Sequence, residues 1–493
     1  MCGIFLIYNR SSFSKESINN YIENAKLLEH RGDKDTYRII NNKYGSILLY
    51  HNRLAINDNN PDNGTQPIIK NNIMIIVDGK IYNYEDLYNI IKKDLPSYNF
   101  RSNSNSEILI PLYLLYGSGF ISKIRGMFSF ILYDATKNIL IVVRDHIGLT
   151  SLYYTIEKNE DKINTLMISS EIKALTNLSK NINIFESGKV YINGTFFTHF
   201  NPEWKTLDYI PTGKLNYNEI KQKLIDSVLK HILSDQPIGI LLSGGLDSSI
   251  IASIMLYLKK NNFINNQIKT FTIGLENTSD TIETEKVSEF LNLEHTTYNF
   301  TIEDVIDLLE DIIYHLETYD ITIIRKSIPL CLLSMQIKED TDIKILFTGE
   351  VSDEIFNNNL NKEEILLKLE NKVNILHKAT MIHTLELRMP FVDLDFIDYI
   401  MNINTKLDQN ILRTSFDNNE FLSHDILWND NKTNKNVSDE TLISLLKIHA
   451  ENNISDEEFN NREILFPINT PLTKEALLYR KIFDKSYQHS CCI

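Results

Sequence analysis

Short runs of β-branched and aromatic residues recur from the N-terminus to about residue 200: IFLIY from Ile4, SILLY from Ser46, IMIIV from Ile73, FSFILYD from Phe128 and ILIVV from Ile139. Turn residues separate them, the pattern of successive strands. Two stretches interrupt it with helical spacing. In the first, Ile18, Tyr21, Ile22 and Ala25 fall at i, i+3, i+4 and i+7, and Leu28 continues the stripe. The second spans 108–116. Strands with helices segregated among them predict an α+β layered domain.

The segment HFNPEWKTLDYIPTGKLNYNE, with Pro202 and Pro211, carries little periodicity and reads as a linker, dividing the chain into domains 1–205 and 206–493. Beyond it strands and helices alternate. A strand IGILL ends at Leu242, a helix covers 248–258, strand TFTIG starts at Thr270, a helix covers 283–291 and a strand lies around Thr296. Helices run through Thr318 and from Ser327, and strand IKILF begins at Ile343. This alternation predicts βαβ units on a parallel sheet, an α/β domain. The stretch after Asn402, rich in Asn, Asp and Glu, predicts only exposed helices and loops.

Composition narrows the class. With 43% hydrophobic and 23% charged residues, the chain is ordinary globular material. A net charge of −15 argues against broad nucleic-acid binding, which needs a basic face. No apolar run approaches the ~20 residues that span a bilayer, and MCGIFLIYNR lacks the basic start of a signal peptide. The C-terminal Cys-Cys-Ile misses the prenylation box, because Ser490 stands where its cysteine should be. Cys2, Cys331, Cys491 and Cys492 are too scattered for a disulfide framework. The expectation is a cytoplasmic protein without membrane or nucleic-acid partners.

Three places carry candidate chemistry. Cys2 becomes N-terminal once Met1 is removed, and its α-amine, with a pKa near ~8, is then a built-in base for the thiol. Alone, a cysteine at position two is weak evidence. The second place is SGGLDSS, residues 243–249, between a strand and a helix. Strand, Gly-rich turn and helix aim backbone N–H groups at a phosphate, and Asp247 can hold Mg²⁺. The Gly-Lys-Ser/Thr ending of a Walker A loop is absent. The third comprises TFTIGL from Thr270, IYHLETYDITIIRKS from Ile313 and LFTGEVSDE from Leu346, at or just beyond the carboxyl ends of predicted strands. Ligands of open parallel sheets bind there, although any one of these acids alone reads equally well as a solvated surface charge.

In company these fragments gain weight. MCGIF, HRG at 30–32, HNRLAI from His51, DGKIYNY from Asp78, RGMFSFILYD from Arg125, RDHIGL from Arg144 and SSEIKAL from Ser169 resemble, in order, the class II glutamine amidotransferases. That resemblance implies an N-terminal-nucleophile αββα sandwich. SGGLDSS resembles the pyrophosphate loop of ATP pyrophosphatases, and the motifs after it, with FPINTPLTKEALLYRKIF from Phe466, resemble the synthetase half of the glutamine-hydrolysing asparagine synthetase family. The resemblance implies that Cys2 attacks the glutamine amide. Arg53 would hold the glutamine carboxylate within a pocket of Asp78, Gly79, Lys80 and Asn105, with Gly79 giving an oxyanion N–H. Leu242, Ser243, Gly244, Gly245, Asp247, Ser248, Ile273, Thr348 and Gly349 would hold ATP, and Asp247 and Asp353 would hold Mg²⁺. Arg325 and Glu350 would serve formation of a β-aspartyl-adenylate, which ammonia then attacks. Aspartate, glutamine or ammonia, and ATP are the implied partners; a homodimer is compatible with the sequence.

The pattern also breaks. The family's Asn-Gly-Glu reads Asp78-Gly79-Lys80, and an ionised Asp78 repels an oxyanion that an Asn amide would bind, a loss on the order of 10²–10³ in rate. Asn105 replaces an Asp that would pair with the glutamine α-ammonium, losing roughly 1.5–3 kcal/mol. Val351, Asn358 and Asn359 stand where the family has Gly, and Asn431, beside Lys432, stands for a lysine. Glutamine-dependent asparagine synthesis is the leading expectation. The alternatives are ammonia-dependent synthesis with an impaired glutaminase, another carboxylate acceptor, or a non-catalytic descendant.

Overall fold

The computed structural model describes every residue except 1, 57–63, 103, 160–161, 207, 233, 235, 277–281, 358–359, 430–436 and 488–493. Asn358, Asn359, Asn431, Lys432, Ser490, Cys491 and Cys492 therefore lie outside the described residues.

The N-terminal half contributes β1 (Gly3–Asn9), β2 (Lys34–Asn42), β3 (Gly45–Arg53), β4 (Ile68–Lys70), β5 (Ile73–Ile81), β6 (Gly126–Asp134), β7 (Ile139–Arg144), β8 (Tyr153–Asn159), β9 (Lys162–Ser169), β10 (Asn183–Ile184), β11 (Lys189–Ile192) and β12 (Thr195–Thr198). They form two six-stranded sheets, ordered β10-β8-β9-β1-β3-β2 and β12-β11-β7-β6-β5-β4. All pairings in both are antiparallel. The period-2 alternation of β1 decides the layering. Ile4 and Leu6 point between the sheets, meeting Ile47, Leu49, Met74, Ile76 and Ile131. Phe5 and Ile7 point the other way, toward Ala25 and Leu28. On the second sheet Ile75 and Val77 meet Leu87, Ile91, Leu109 and Leu112 of the opposite helices. The result is the αββα sandwich.

Several elements escape the apolar pattern. The strand β2, KDTYRIINN, is mostly exposed or half-buried, so no clean alternation marks it. Helix Tyr84–Asp94 buries only Leu87 and Ile91, a stripe too thin to stand out.

The C-terminal half adds β13 (Ile238–Leu241), β14 (Ile268–Leu275), β15 (Glu294–Phe300), β16 (Ile345–Phe347) and β17 (Glu386–Arg388), a parallel sheet ordered β15-β14-β13-β16-β17. Ile238, Ile240, Ile345 and Phe347 are fully buried, as a sheet covered on both faces requires. Three expectations need correction. The helix expected from Ser327 starts at Ile321, because the Asp320 carboxylate caps the Ile323 N–H at 2.9 Å; Arg325 is thereby helical. The short strand β17 was not anticipated. Nor is the C-terminal stretch merely exposed: helix Lys474–Tyr487 buries Tyr479, Phe483 and Tyr487 against Leu309 and Ile313 of helix Ile302–Leu316.

The two halves are joined by buried polar contacts as well as by apolar packing. Arg144 Nη1 reaches Glu370 at 2.7 Å, the Lys173 backbone N–H reaches Glu317 at 2.8 Å, and Lys378 Nζ lies 3.0 Å from the Tyr153 hydroxyl. The linker is docked, with Trp204 buried and its indole N–H on Asp398 at 2.6 Å. Among the described residues, no helix is long and apolar enough to cross a membrane.

Candidate active sites

Cys2 sits where the chain enters β1. The turn Glu29–Arg31 brings Arg31 beneath it, and this fully buried guanidinium is shared three ways. Its Nε donates to the Cys2 carbonyl at 2.8 Å, Nη2 to Asp78 Oδ2 at 2.9 Å and Nη1 to Glu171 Oε1 at 2.6 Å. Ser170 Oγ donates to Asp78 Oδ2 at 3.2 Å and accepts from the Ile4 N–H at 3.0 Å. Asp78 Oδ1 is buried and has no partner. Burial raises the Asp78 pKa, while Arg31 and the Ser170 hydroxyl oppose the rise. Burial likewise pushes the Cys2 thiol up to about 11, with Asp78 and Glu386 adding to the rise and the Leu54 N–H opposing it. The thiol therefore rests protonated and depends on a base for its nucleophilicity.

The other candidates of this pocket converge from β3, β5 and the turn Asn105–Ile108. Gly79 has φ +117°, and a Cβ there would lie 2.1 Å from the Met127 carbonyl oxygen, so only glycine fits. Lys80 is buried. Burial, aided by Arg388, lowers its pKa to about 7 against the pull of Glu386 and Cys2. Arg53 and Ser104 both border Gly64, where a Cβ would meet them at 3.4 and 3.2 Å. Asn105 follows Ser104 and is buried, its Nδ2 without a partner. Sequence reasoning gave Arg31, Ser170 and Glu171 no role, although the HRG and SSEIKAL fragments that signal them were in view.

Glu171 continues the network. Its Oε2 takes the Lys173 ammonium at 2.6 Å, and Lys173 Nζ lies 3.2 Å from His315 Nδ1. The ligand atoms of His30, Glu171 and His315 lie within 4.8 Å of one another, a spacing that could hold a metal. The Lys173 ammonium already supplies the positive charge there.

The second site lies at the carboxyl ends of β13 and β16. In SGGLDSS, the Ser243 and Ser248 hydroxyls stand 3.1 Å apart, and Gly245 caps helix Leu246–Lys260 with no side chain in the way. Gly244 has φ +69°, and its Cβ would press on the Glu283 carbonyl carbon at 2.7 Å. A Cβ on Gly349 would lie 2.4 Å from both the Asp247 carbonyl carbon and the Ser248 nitrogen, so the two loops touch through backbone alone. Leu242 donates its N–H to Phe271 at 2.9 Å, Ile273 lies farther along β14, and the Thr348 N–H reaches the Arg388 carbonyl at 3.1 Å.

Carboxylates gather above these turns. Asp247 Oδ1 accepts from Ser352 Oγ at 2.8 Å, and the Gln409 amide bridges Asp247 and Asp353. Glu350 pairs with Lys372 at 2.7 Å, which also holds Glu354 at 3.1 Å. Burial pushes Asp247 up to about 7; the charges of Asp353 and Glu350 add to the rise, and Ser352 and Lys372 oppose it. All-oxygen donors with mutually repelling charge suit a hard divalent cation such as Mg²⁺. Val351, in the place of a glycine, takes φ +73° at the start of helix Ser352–Ile355, an unusual left-handed β-branched residue. Arg325 pairs through Nε and Nη2 with both oxygens of Glu475, on helix Lys474–Tyr487.

Two family models match the chain. Residues 1–226 match the family model of the glutamine amidotransferase domain, and residues 219–374 and 367–492 that of asparagine synthase. A Sandersonia aurantiaca protein named asparagine synthetase (glutamine-hydrolyzing) is 36% identical over 521 residues, covering 99% of this chain and 96% of the relative. A Brassica oleracea protein of the same name is 35% identical over 522 residues, covering 99% and 86%. Arabidopsis thaliana asparagine synthetase (glutamine-hydrolyzing) 1 is 35% identical over 521 residues, covering 99% and 87%. With a glutaminase sandwich carrying Cys2 and a parallel-sheet domain carrying SGGLDSS, this chain belongs to the glutamine-hydrolysing asparagine synthetase family.

Proposed function

We propose that this chain is a carbon–nitrogen ligase that makes asparagine from aspartate, ATP and glutamine, releasing glutamate, AMP and pyrophosphate. The observation that carries the reading is the meeting of the SGGLDSS turn with the Gly349 loop beneath Asp247, Glu350 and Asp353. In this reading the N–H groups of 243–248 bind the pyrophosphate part of ATP. The side-chain carboxylate of aspartate attacks the α-phosphorus, forming an acyl–adenylate and expelling pyrophosphate. Asp247 and Asp353 would hold Mg²⁺, which supplies positive charge against the phosphates when bound. Lys372 holds Glu350 beside the loop at 2.7 Å, and Arg325 would act after release from Glu475.

The nitrogen comes from the other domain. Cys2 Sγ attacks the glutamine amide carbon, the α-amine takes the thiol proton, and ammonia leaves as a thioester forms. Water then hydrolyses the thioester to glutamate. Arg53 holds the substrate carboxylate, the Gly79 N–H faces the oxyanion, and Asp78, Lys80 and Asn105 complete the pocket. Ammonia attacks the adenylate carbonyl, and AMP departs. We place glutamine chemistry in 1–205 and ATP chemistry in 206–493, and the protein in the cytoplasm, whose reducing conditions keep the Cys2 thiol free.

A second reading, that ammonium salt serves better than glutamine, is favoured by Asp78, whose unpartnered Oδ1 offers no donor to an oxyanion. Asparagine formation with glutamine and with ammonium salt, measured side by side with pyrophosphate release, tests both. Absence of asparagine from both sources overturns the proposal.

A further inference from the structure

Lys173 belongs to the glutaminase half, yet the synthetase half holds it at both ends. It opens the short helix Lys173–Thr176 and is 1% exposed. Its backbone N–H donates to Glu317 Oε1 at 2.8 Å, at the end of helix Ile302–Leu316. Its ammonium lies 3.2 Å from His315 Nδ1 and 4.8 Å from the centre of the Tyr314 ring, both on that helix. An ammonium has only donors, so His315 Nδ1 is the acceptor and carries no proton. Burial, and after it the Lys173 charge, lowers the His315 pKa to about 2, which keeps the ring neutral for that role. Glu317 is fixed in turn by Lys378 Nζ at 2.6 Å. Taking an ammonium out of water is costly, and this one is kept where the two halves meet.

The remaining contact runs toward Cys2. Lys173 Nζ donates to Glu171 Oε2 at 2.6 Å, and Glu171 Oε1 accepts from Arg31 Nη1 at 2.6 Å. Arg31 Nε then donates to the Cys2 carbonyl at 2.8 Å, and Nη2 to Asp78 at 2.9 Å. Burial raises the Glu171 carboxyl, but His30, Lys173 and Arg31 together hold it well below the usual carboxylate range, so it is ionised. The division of its two oxygens is what gives Lys173 its importance. With Oε2 taken by the ammonium, Arg31 spends a single N–H on Glu171 and keeps the others for Cys2 and Asp78. Arginine and a free carboxylate prefer two parallel hydrogen bonds. Without Lys173, Glu171 offers both oxygens, and the second bond turns the guanidinium away from the Cys2 carbonyl or from Asp78.

We infer that Lys173 is a positioning residue for glutamine hydrolysis: by occupying one oxygen of Glu171 it keeps Arg31 on the Cys2 carbonyl, and His315 of the synthetase half holds it there. The inference rests on the glutamine reading of Cys2. Glutamate release from the full-length protein is measured over a range of glutamine concentrations, with asparagine formed from ammonium salt as the reference for each variant. Lys173→Met keeps the length of the stem and removes the charge. It lowers kcat for glutamate release by more than about five-fold at little change in KM, since a 1 Å misplacement costs up to about 10²-fold. His315→Leu does the same from the other domain, and His315→Asn, whose Oδ1 can accept from Lys173, restores kcat to within about two-fold of wild type. A smaller fall in Lys173→Met overturns the inference, as does a kcat equally low in His315→Asn and His315→Leu. So does an equal loss of glutamate release and of ammonium-dependent asparagine in Lys173→Met, the mark of a packing role alone. Failure of the glutamine reading shows differently, as a wild type that releases no glutamate, and the inference falls with it.

Discussion

Replacing Asp78 by Asn should accelerate glutamine hydrolysis. Asp78 is fully buried. Its Oδ2 is engaged by Arg31 at 2.9 Å and Ser170 at 3.2 Å, which an Asn carbonyl oxygen can also accept. Its Oδ1, now an acceptor without a donor, becomes an NH₂. One added oxyanion donor is worth on the order of 10²–10³ in kcat. Removing the charge also stops Asp78 from raising the thiol pKa. The cost in stability is small. The Arg31 bond stays charge-assisted from the donor side, worth about 1.5–3 kcal/mol, and Arg31 keeps Glu171 at 2.6 Å, so no cation is stranded. Glutamate release at saturating glutamine is the assay, with Cys2→Ala as blank and a urea midpoint to show folding. A folded Asp78→Asn protein no faster than wild type refutes the reasoning.

Three further outcomes are expected. Asp247, raised to about 7 from 3.8, holds a proton in the fold that the unfolded chain gives up, so it weakens the fold as pH climbs between those values. A cation must displace that proton, so the apparent affinity for Mg-ATP rises from about pH 6 to about pH 8; Asp247→Asn abolishes pyrophosphate release and leaves a protein at least as resistant to urea at neutral pH. Gly349→Ala forces a methyl to 2.4 Å from the Asp247 and Ser248 backbone, ending pyrophosphate release while glutamate release continues. Arg144→Met strips Glu370 of its buried partner, a loss of up to about 3–5 kcal/mol that the 20% exposure of Glu370 moderates, read as a lower urea midpoint.

The sequence by itself determined the layers and the turns. Runs such as Ile4 to Ile7 announce strands, and a strand's alternation then sends neighbouring side chains to opposite faces. So uniformly apolar a run does not say which face meets the other sheet and which the helices. SGGLDSS announces its turn because glycine is needed where φ is positive or another backbone passes closely, as Gly244 and Gly349 show. The family resemblance marked Val351 as standing where a Gly is usual, and its φ of +73° puts that position in left-handed backbone. What only the tertiary structure decided is pairing across long separations. That Arg31 ties Cys2 to Asp78 and Glu171, that Arg325 is claimed by Glu475, and that Arg144 reaches Glu370 depend on elements far apart in the chain. Hydrogen bonds need their partners within a few tenths of an ångström. Residue types and spacing along a sequence carry no such distance, and only packing supplies it.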